Sequence, residues 1–564
     1  MLRMWPGLIV LLSCAAPSAA APHPAPPPAP VAAPVAPAPV APPAAAPAPV
    51  APAPPAPAPN PVVERLIESH LQFLASDDLG GRETGTMQGL ITGQYVASAM
   101  REAGLEPAGE DGAYLQSYPL ETNRLQKDAT KLTLTAASGS RELKLGEDWA
   151  LRGYTSAGFD LDAEAVFAGH GLVSEAAGLD EYAGLDVGGR LVVVLEGPGG
   201  RERDDPMRTA ANWRAKREAA QAHGALGLIT VYDDAAAGAR NAFSGMVDAI
   251  DHPSLSMAAA QDGTPSAWPQ IGLKSSAGET LFAAAGLNLA TVRATYALPA
   301  PGPKATKPYA PPPGQSLPGV KLHLVAPVTS EATHSYNVLG RIPGSDPALG
   351  REYVLVTAHM DHIGISADGR VNNGADDNAS GTTTLLVTAE ELAKRPPPRR
   401  SIVFLSVSGE EKGLWGSEWW TEHPTLPLAD AVGDINVDMV GRNDPDAVGA
   451  TPSPTHEAWN SLVERAVELA PQSGLRVTWN APAASDDRVD NYYFRSDHYN
   501  FAEKGIPVVF FFSGLHEDYH KPTDDLEKID RAKIAKMVDF VGRLATDVAD
   551  ADGRPHKLGL EQGR

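Results

Sequence analysis

Tyr353-Val354-Leu355-Val356-Thr357-Ala358 is a near-continuous apolar run of strand length, and it ends on His359-Met360-Asp361. Three further runs share its character: Ile402–Val407, Val432–Val437 and Val508–Phe512. None alternates cleanly between apolar and polar residues, so each predicts a strand covered on both faces. Helical stretches lie between and after them, over Gly381–Lys394, Thr455–Leu469 and Arg531–Val548. Strands of this kind joined through helices predict an α/β fold with a mostly parallel central sheet flanked by helices. Ligands of such sheets gather beyond the carboxyl ends of the strands. His359, Glu410, Glu411 and Asp438 all stand at or just after such ends.

Those ends are rich in metal-binding groups. In chain order they are His359-x-Asp361, Gly374-Ala375-Asp376-Asp377-Asn378-Ala379-Ser380-Gly381, Ser408-Gly409-Glu410-Glu411, Asn436-Val437-Asp438-Met439 and Tyr519-His520. Two imidazoles with three or four carboxylates meet the needs of two adjacent zinc ions and leave one glutamate for proton transfer. Zinc brings the pKa of a bound water to about 7 and polarises a carbonyl, the chemistry of hydrolysis. The residues alone do not choose between Glu410 and Glu411, or between Asp376 and Asp377, as the ligand of each pair. Any one motif fits a turn or a solvated helix start equally well; five in series do not. His362 reads as a packing or hydrogen-bonding residue. Ser496-Asp497-His498 either shapes a pocket or satisfies its own loop. Gly197-Pro198-Gly199-Gly200 is followed by Arg201 and not by Lys-Ser/Thr, which argues against a phosphate loop.

In this order and spacing, the five motifs resemble the co-catalytic di-zinc aminopeptidases related to vacuolar aminopeptidase Y and glutamate carboxypeptidase II. The resemblance covers roughly residues 62–125 and 325–548. It implies the zinc-dependent exopeptidase fold and two Zn2+ ions per chain, one held by His359 and Asp438, the other by Glu411 and His520, with Asp377 between them. It makes Glu410 the general base, Asp361 the carboxylate that orients His359, and Tyr519 a stabiliser of the tetrahedral oxyanion. The implied activity is a metallo-aminopeptidase that removes N-terminal residues from peptides. A carboxypeptidase of the same fold is the alternative within the class. From another class, a peptide-binding protein with a vestigial metal site would have no need of Glu410. A glutaminyl cyclase, also fold-related, normally uses one zinc, and the full ligand set for two argues against it.

The 564-residue chain carries a formal net charge of -23, which sets it against nucleic acid as a partner. Arg3 precedes the short apolar run Leu8–Leu12, too short to span a bilayer and suited to a signal peptide over residues 1–20. Cys14, the sole cysteine, stands where a bacterial lipoprotein box needs it, which predicts an exported protein anchored in the cell envelope; cleavage near Ser18-Ala19-Ala20 is the competing outcome and gives a secreted one. Residues 21–60 are almost entirely Ala, Pro and Val, a polyproline-type linker that could reach on the order of 100 Å. Catalytic sequence is expected over 61–125 and 321–550, with a tail over 551–564. Between the two parts, residues 126–320 are β-rich, hold Leu191–Leu195 and Gly224–Val231 around a helical stretch, and contain none of the candidate ligands. The resemblance identifies them as an inserted protease-associated domain.

Overall fold

Alternate residues of the Tyr353–His359 strand feed two different cores. Val354, Val356 and Ala358 join Leu385, Leu386 and Ala389 of the Gly381–Ala393 helix and Met537, Phe540, Val541 and Leu544 of the Arg531–Asp550 helix. Tyr353 and Leu355 point the other way, into a cluster with Trp420, Phe501 and Val508. Each buried Leu, Ile or Phe contributes about 1.5–3 kcal/mol, so apolar runs without alternation are what this sheet requires. The computed structural model describes residues 60–559 apart from 176–177, 198–212, 236, 259–267, 299–308, 367 and 481–488. The signal peptide, Cys14 and the Pro/Ala-rich linker up to residue 59 lie outside the described residues.

The larger sheet has the strand order Ser254–Met257, Leu115–Leu125, Val328–Ile342, Ser401–Val407, Tyr353–His359, Ala431–Asp438, Val508–Phe512, Ala447–Thr451 and Arg476–Thr478, with Glu106–Pro107 beside Val328–Ile342. Its four central strands, from Ser401–Val407 to Val508–Phe512, are parallel. Antiparallel pairs flank them on both sides, so parallel pairing is confined mainly to the centre. All four central strands therefore end at the same edge, which gathers the candidate residues.

A second sheet contains eight strands between Lys131 and Ala326, and its core includes Leu132, Phe167, Val193, Ile229 and Leu324. The chain leaves the larger sheet through Leu115–Leu125 and returns through Val328–Ile342, two strands paired antiparallel with each other. Gln126 N–H donates to Pro327 O at 2.9 Å where the excursion closes. One piece of this excursion does not stay with it. Ser254–Met257 pairs with Leu120–Asn123 and forms the outer strand of the larger sheet.

The helix expected over Thr455–Leu469 begins only at Ser461. Asn460 accounts for the late start. Its side chain accepts from Leu462 N at 3.0 Å and caps the helix, while its extended backbone excludes it from the first turn.

Candidate metal centre

Sequence dictates each approach to the centre locally. His359 and Asp438 are the last residues of neighbouring parallel strands. Asp377 lies in an irregular turn over Ala375–Ser380 that opens directly into the Gly381–Ala393 helix. Asn378 secures that turn. Its amide donates to Val437 O at 3.0 Å, while its oxygen accepts from Gly381 N at 2.9 Å and Met439 N at 3.2 Å. Asp524 accepts from Asp376 N and Asp377 N at 3.1 Å. Glu410 and Glu411 follow the Ser401–Val407 strand, and His520 lies in the turn after Val508–Phe512. Met439 and His520 hold φ of +51° and +56°, a left-handed conformation uncommon for non-glycine residues and frequent at functional sites.

These side chains converge on Asp377. His359 Nε2 is 3.5 Å from Asp377 Oδ1 and 3.3 Å from Asp438 Oδ1. His520 Nε2 is 3.2 Å from both Asp377 Oδ2 and Glu411 Oε2. Ligand-competent atoms of His359, Asp377 and Asp438 lie within 4.8 Å of one another, as do those of His362, Asp377 and Glu411. Glu410 Oε2 stands 4.0 Å from His359 Nε2. Burial raises the Glu410 pKa well above the usual carboxylate range; His359 opposes the shift, whereas Glu411 and Asp438 reinforce it. Asp377 is raised by burial and by Glu411, while hydrogen bonds from His362 and His520 outweigh burial and lower Glu411. Burial disfavours a charged His520, yet its bonds to Asp377 and Glu411 push it up to about 10.

The donor set fits cations. His359 Nε2 and Asp438 Oδ1 are buried, face each other and have no hydrogen-bond partner. His359 Nδ1 lies 3.2 Å from the carbonyl oxygen of Asp361; with its proton donated there, Nε2 keeps its lone pair turned toward two carboxylates. A divalent ion satisfies that crowding of lone pairs and negative charge, and Asp377 is common to both groups.

The structure corrects one expected detail. The bond from His359 Nδ1 goes to the main-chain oxygen of Asp361, while its carboxylate is 3.7 Å away. That carboxylate is engaged elsewhere, accepting from Thr84 Oγ1 at 2.8 Å and Glu410 N at 3.3 Å. Tyr519 lines a small cavity with Asp377, Glu410, Asp438 and His520. Its hydroxyl lies 3.4 Å from the Arg495 guanidinium.

Residues 337–545 match the family described as Peptidase family M28. That segment is similar to the family over somewhat more than a third of the chain. Leupeptin-inactivating enzyme 1 of Streptomyces exfoliatus is 27% identical over 202 residues, covering 36% of this chain and 40% of that protein. A probable leucine aminopeptidase of Arthroderma benhamiae is 25% identical over 214 residues, 36% of this chain and 56% of the relative. The matches thus span about half the length of these curated relatives. The aminopeptidase from Aneurinibacillus sp. strain AM-1 shares the fold, with a TM-score of 0.51 at 18% identity over 89% of this chain and 96% of its own.

The M28 segment contains every candidate ligand, but several of its contacts were not apparent in the sequence. His362 Nδ1 bonds Glu411 Oε1 at 2.7 Å, so His362 braces this carboxylate or joins its group. Ser496 Oγ donates to Asp438 Oδ2 at 3.1 Å and accepts from Asn436 at 2.9 Å. Asp497 is buried with Ser417 as its donor at 2.6 Å, and His498 stacks on Phe510. None of these three residues lines the cavity. Asn378 and Asp524 also contact main chain far away in sequence, which no local motif announces. Outside the M28 segment, Arg82 and Thr84 reach the same loops.

Proposed function

We propose that this protein is a zinc metallo-aminopeptidase that hydrolyses the N-terminal peptide bond of peptides. The observation that carries the reading is the pair of ligand groups sharing Asp377, with Glu410 beside them at a cavity. His359 and Asp438 would hold one zinc, Glu411 and His520, whose ligand atoms are 3.2 Å apart, would hold the other, and Asp377 would be available to both. Bound there, zinc supplies an activated water and an electrophile for the scissile carbonyl.

The remaining work belongs to side chains. Glu410 takes a proton from the attacking water and delivers it to the departing nitrogen, and burial raises its pKa, which favours its holding that proton. The Tyr519 hydroxyl donates to the oxygen on which negative charge develops. Met439, Tyr492, Phe510, Phe512 and Leu515 give the cavity an apolar wall for a substrate side chain. The curated relatives matched include probable leucine aminopeptidases, which favours an aminopeptidase. One observation supports a carboxypeptidase instead: Arg495 also lines the cavity and could receive a substrate carboxylate.

Amino-acid amides, free peptides and N-acetylated peptides offered to the enzyme decide between the two. The aminopeptidase reading expects cleavage of amides and free peptides, none of N-acetylated peptides, and loss of activity with a chelator that zinc restores. Cleavage of N-acetylated peptides from the carboxyl end would establish the alternative, and activity indifferent to chelator would refute both.

A further inference from the structure

His359 and Asp377 come from separate segments, and a side chain outside residues 337–545 ties those segments together. Arg82 is 1% exposed, and all its hydrogen-bond acceptors are main-chain carbonyls. Nε donates to Met360 O at 2.9 Å, immediately beyond His359. One terminal nitrogen donates to Gly374 O at 3.0 Å, three residues before Asp377. The other donates to Asn373 O and to Leu74 O at the end of the Pro61–Leu74 helix. A planar fork with five donors can satisfy this set of carbonyls; an ammonium has three donors and no fixed plane. The guanidinium also places a buried positive charge near Asp377, Asp361, Asp524 and Glu411.

Two residues further on, Thr84 is 2% exposed and donates to Asp361 Oδ2 at 2.8 Å. Asp361 in turn receives His359 Nδ1 on its main-chain oxygen. Thr84 therefore acts most directly on the His359 side, although its hydroxyl also meets Ser408 Oγ at 3.1 Å and Asp361 also accepts from Glu410 N; Arg82 spans from that side to the carboxylate shared by both groups.

We propose that Arg82 and Thr84 are positioning residues for the metal pair: Arg82 sets the separation between His359 and Asp377, and Thr84 fixes Asp361 and through it His359. This rests on the functional reading above, and the two make different predictions. Thr84→Val weakens the His359 site more than the Glu411 site. Arg82→Met weakens both, because both contain Asp377.

The test is zinc titration against a competing chromogenic chelator, paired with urea unfolding of the zinc-free proteins. Thr84→Val is expected to lose about 10- to 100-fold in affinity at one site, the usual scale for removing a group that orients a ligand. Its zinc-free unfolding should match wild type, and Thr84→Ser should restore the lost affinity. Arg82→Met should lose affinity at both sites. Should it not fold, Arg82→Lys keeps the charge without the fork and is read in the same way.

Wild-type affinity at both sites in a folded Thr84→Val or Arg82 variant overturns the role of that residue. Equal weakening of both sites by Thr84→Val, in step with lower zinc-free stability, shows a merely structural threonine and overturns its role too. A wild-type protein that binds fewer than two zinc ions refutes the functional reading itself.

Discussion

Gly381→Ala tests whether one amide side chain joins the Asp377 turn to the Asp438 strand. A Cβ at Gly381 would fall far inside van der Waals contact of the Asn378 carboxamide and of Val437 O. Val437 belongs to a central strand hydrogen-bonded on both sides, so its carbonyl cannot yield. Asn378 must rotate away, and it leaves three buried hydrogen bonds, to Val437 O, Gly381 N and Met439 N. At about 0.5–1.5 kcal/mol each, these amount to roughly 1.5–4.5 kcal/mol. Overpacking adds about 1–3 kcal/mol, and the gain in helix propensity on replacing glycine returns up to about 1 kcal/mol. The net expectation is a loss of about 1.5–7.5 kcal/mol, a large part of the 5–15 kcal/mol typical of a folded domain. Urea unfolding of the zinc-free protein should show a lower midpoint, and zinc titration should show both sites weakened, because Asp377 adjoins Asn378. Gly542→Ala is the control: its Cβ would meet nothing closer than 3.7 Å in the Arg531–Asp550 helix, so it should be neutral or stabilising. A Gly381→Ala protein with the wild-type urea midpoint and wild-type zinc affinity would refute the reasoning.

Two further outcomes follow from the buried ionisable groups. Glu410→Gln should keep both zinc ions while kcat falls by about 10²-fold or more, the scale of lost acid–base catalysis; if Glu411→Gln instead keeps both ions and loses activity, the two roles are exchanged. Burial pushes the His498 pKa down to about 3 from an ordinary value of 6.5, so between those values the unfolded chain takes up a proton that the folded chain refuses. Its contribution to stability is complete above pH 6.5 and is lost as the pH falls toward 3, at about 1.4 kcal/mol per pH unit. Zinc-free His498→Leu should therefore show a shallower acid limb than wild type in urea midpoints measured from pH 7 to 4. Parallel limbs would show that His498 is not the group responsible.

The parts of this protein that could be read in advance are those encoded over a few consecutive residues. A strand buried on both faces needs an apolar run, so Tyr353–Ala358 and its counterparts announced themselves, and their last residues marked the edge where ligands gather. The choice of Asp377 over Asp376 lay beyond the residues alone and rested on a resemblance. In the structure Asp377 faces His359 and His520, whereas Asp376 accepts from Gly441 N at 2.6 Å. The contacts that hold the centre in shape are of another kind. Thr84 is 277 residues from Asp361, and Arg82 is 278 from Met360. In the sequence, Arg82-Glu83-Thr84 is the polar interior of a glycine-rich turn, which is a sufficient local account of it. Its function exists only after the first two helices have packed against the larger sheet and the turn between them has met the strand ends. Local chemistry thus selects the ligands, and the distances between them are set by residues whose purpose emerges only with the completed fold. If so, truncation before Met87 should spare the apolar pattern of the central strands yet remove Arg82 and Thr84 together, dismantling the frame that spaces the two ligand groups.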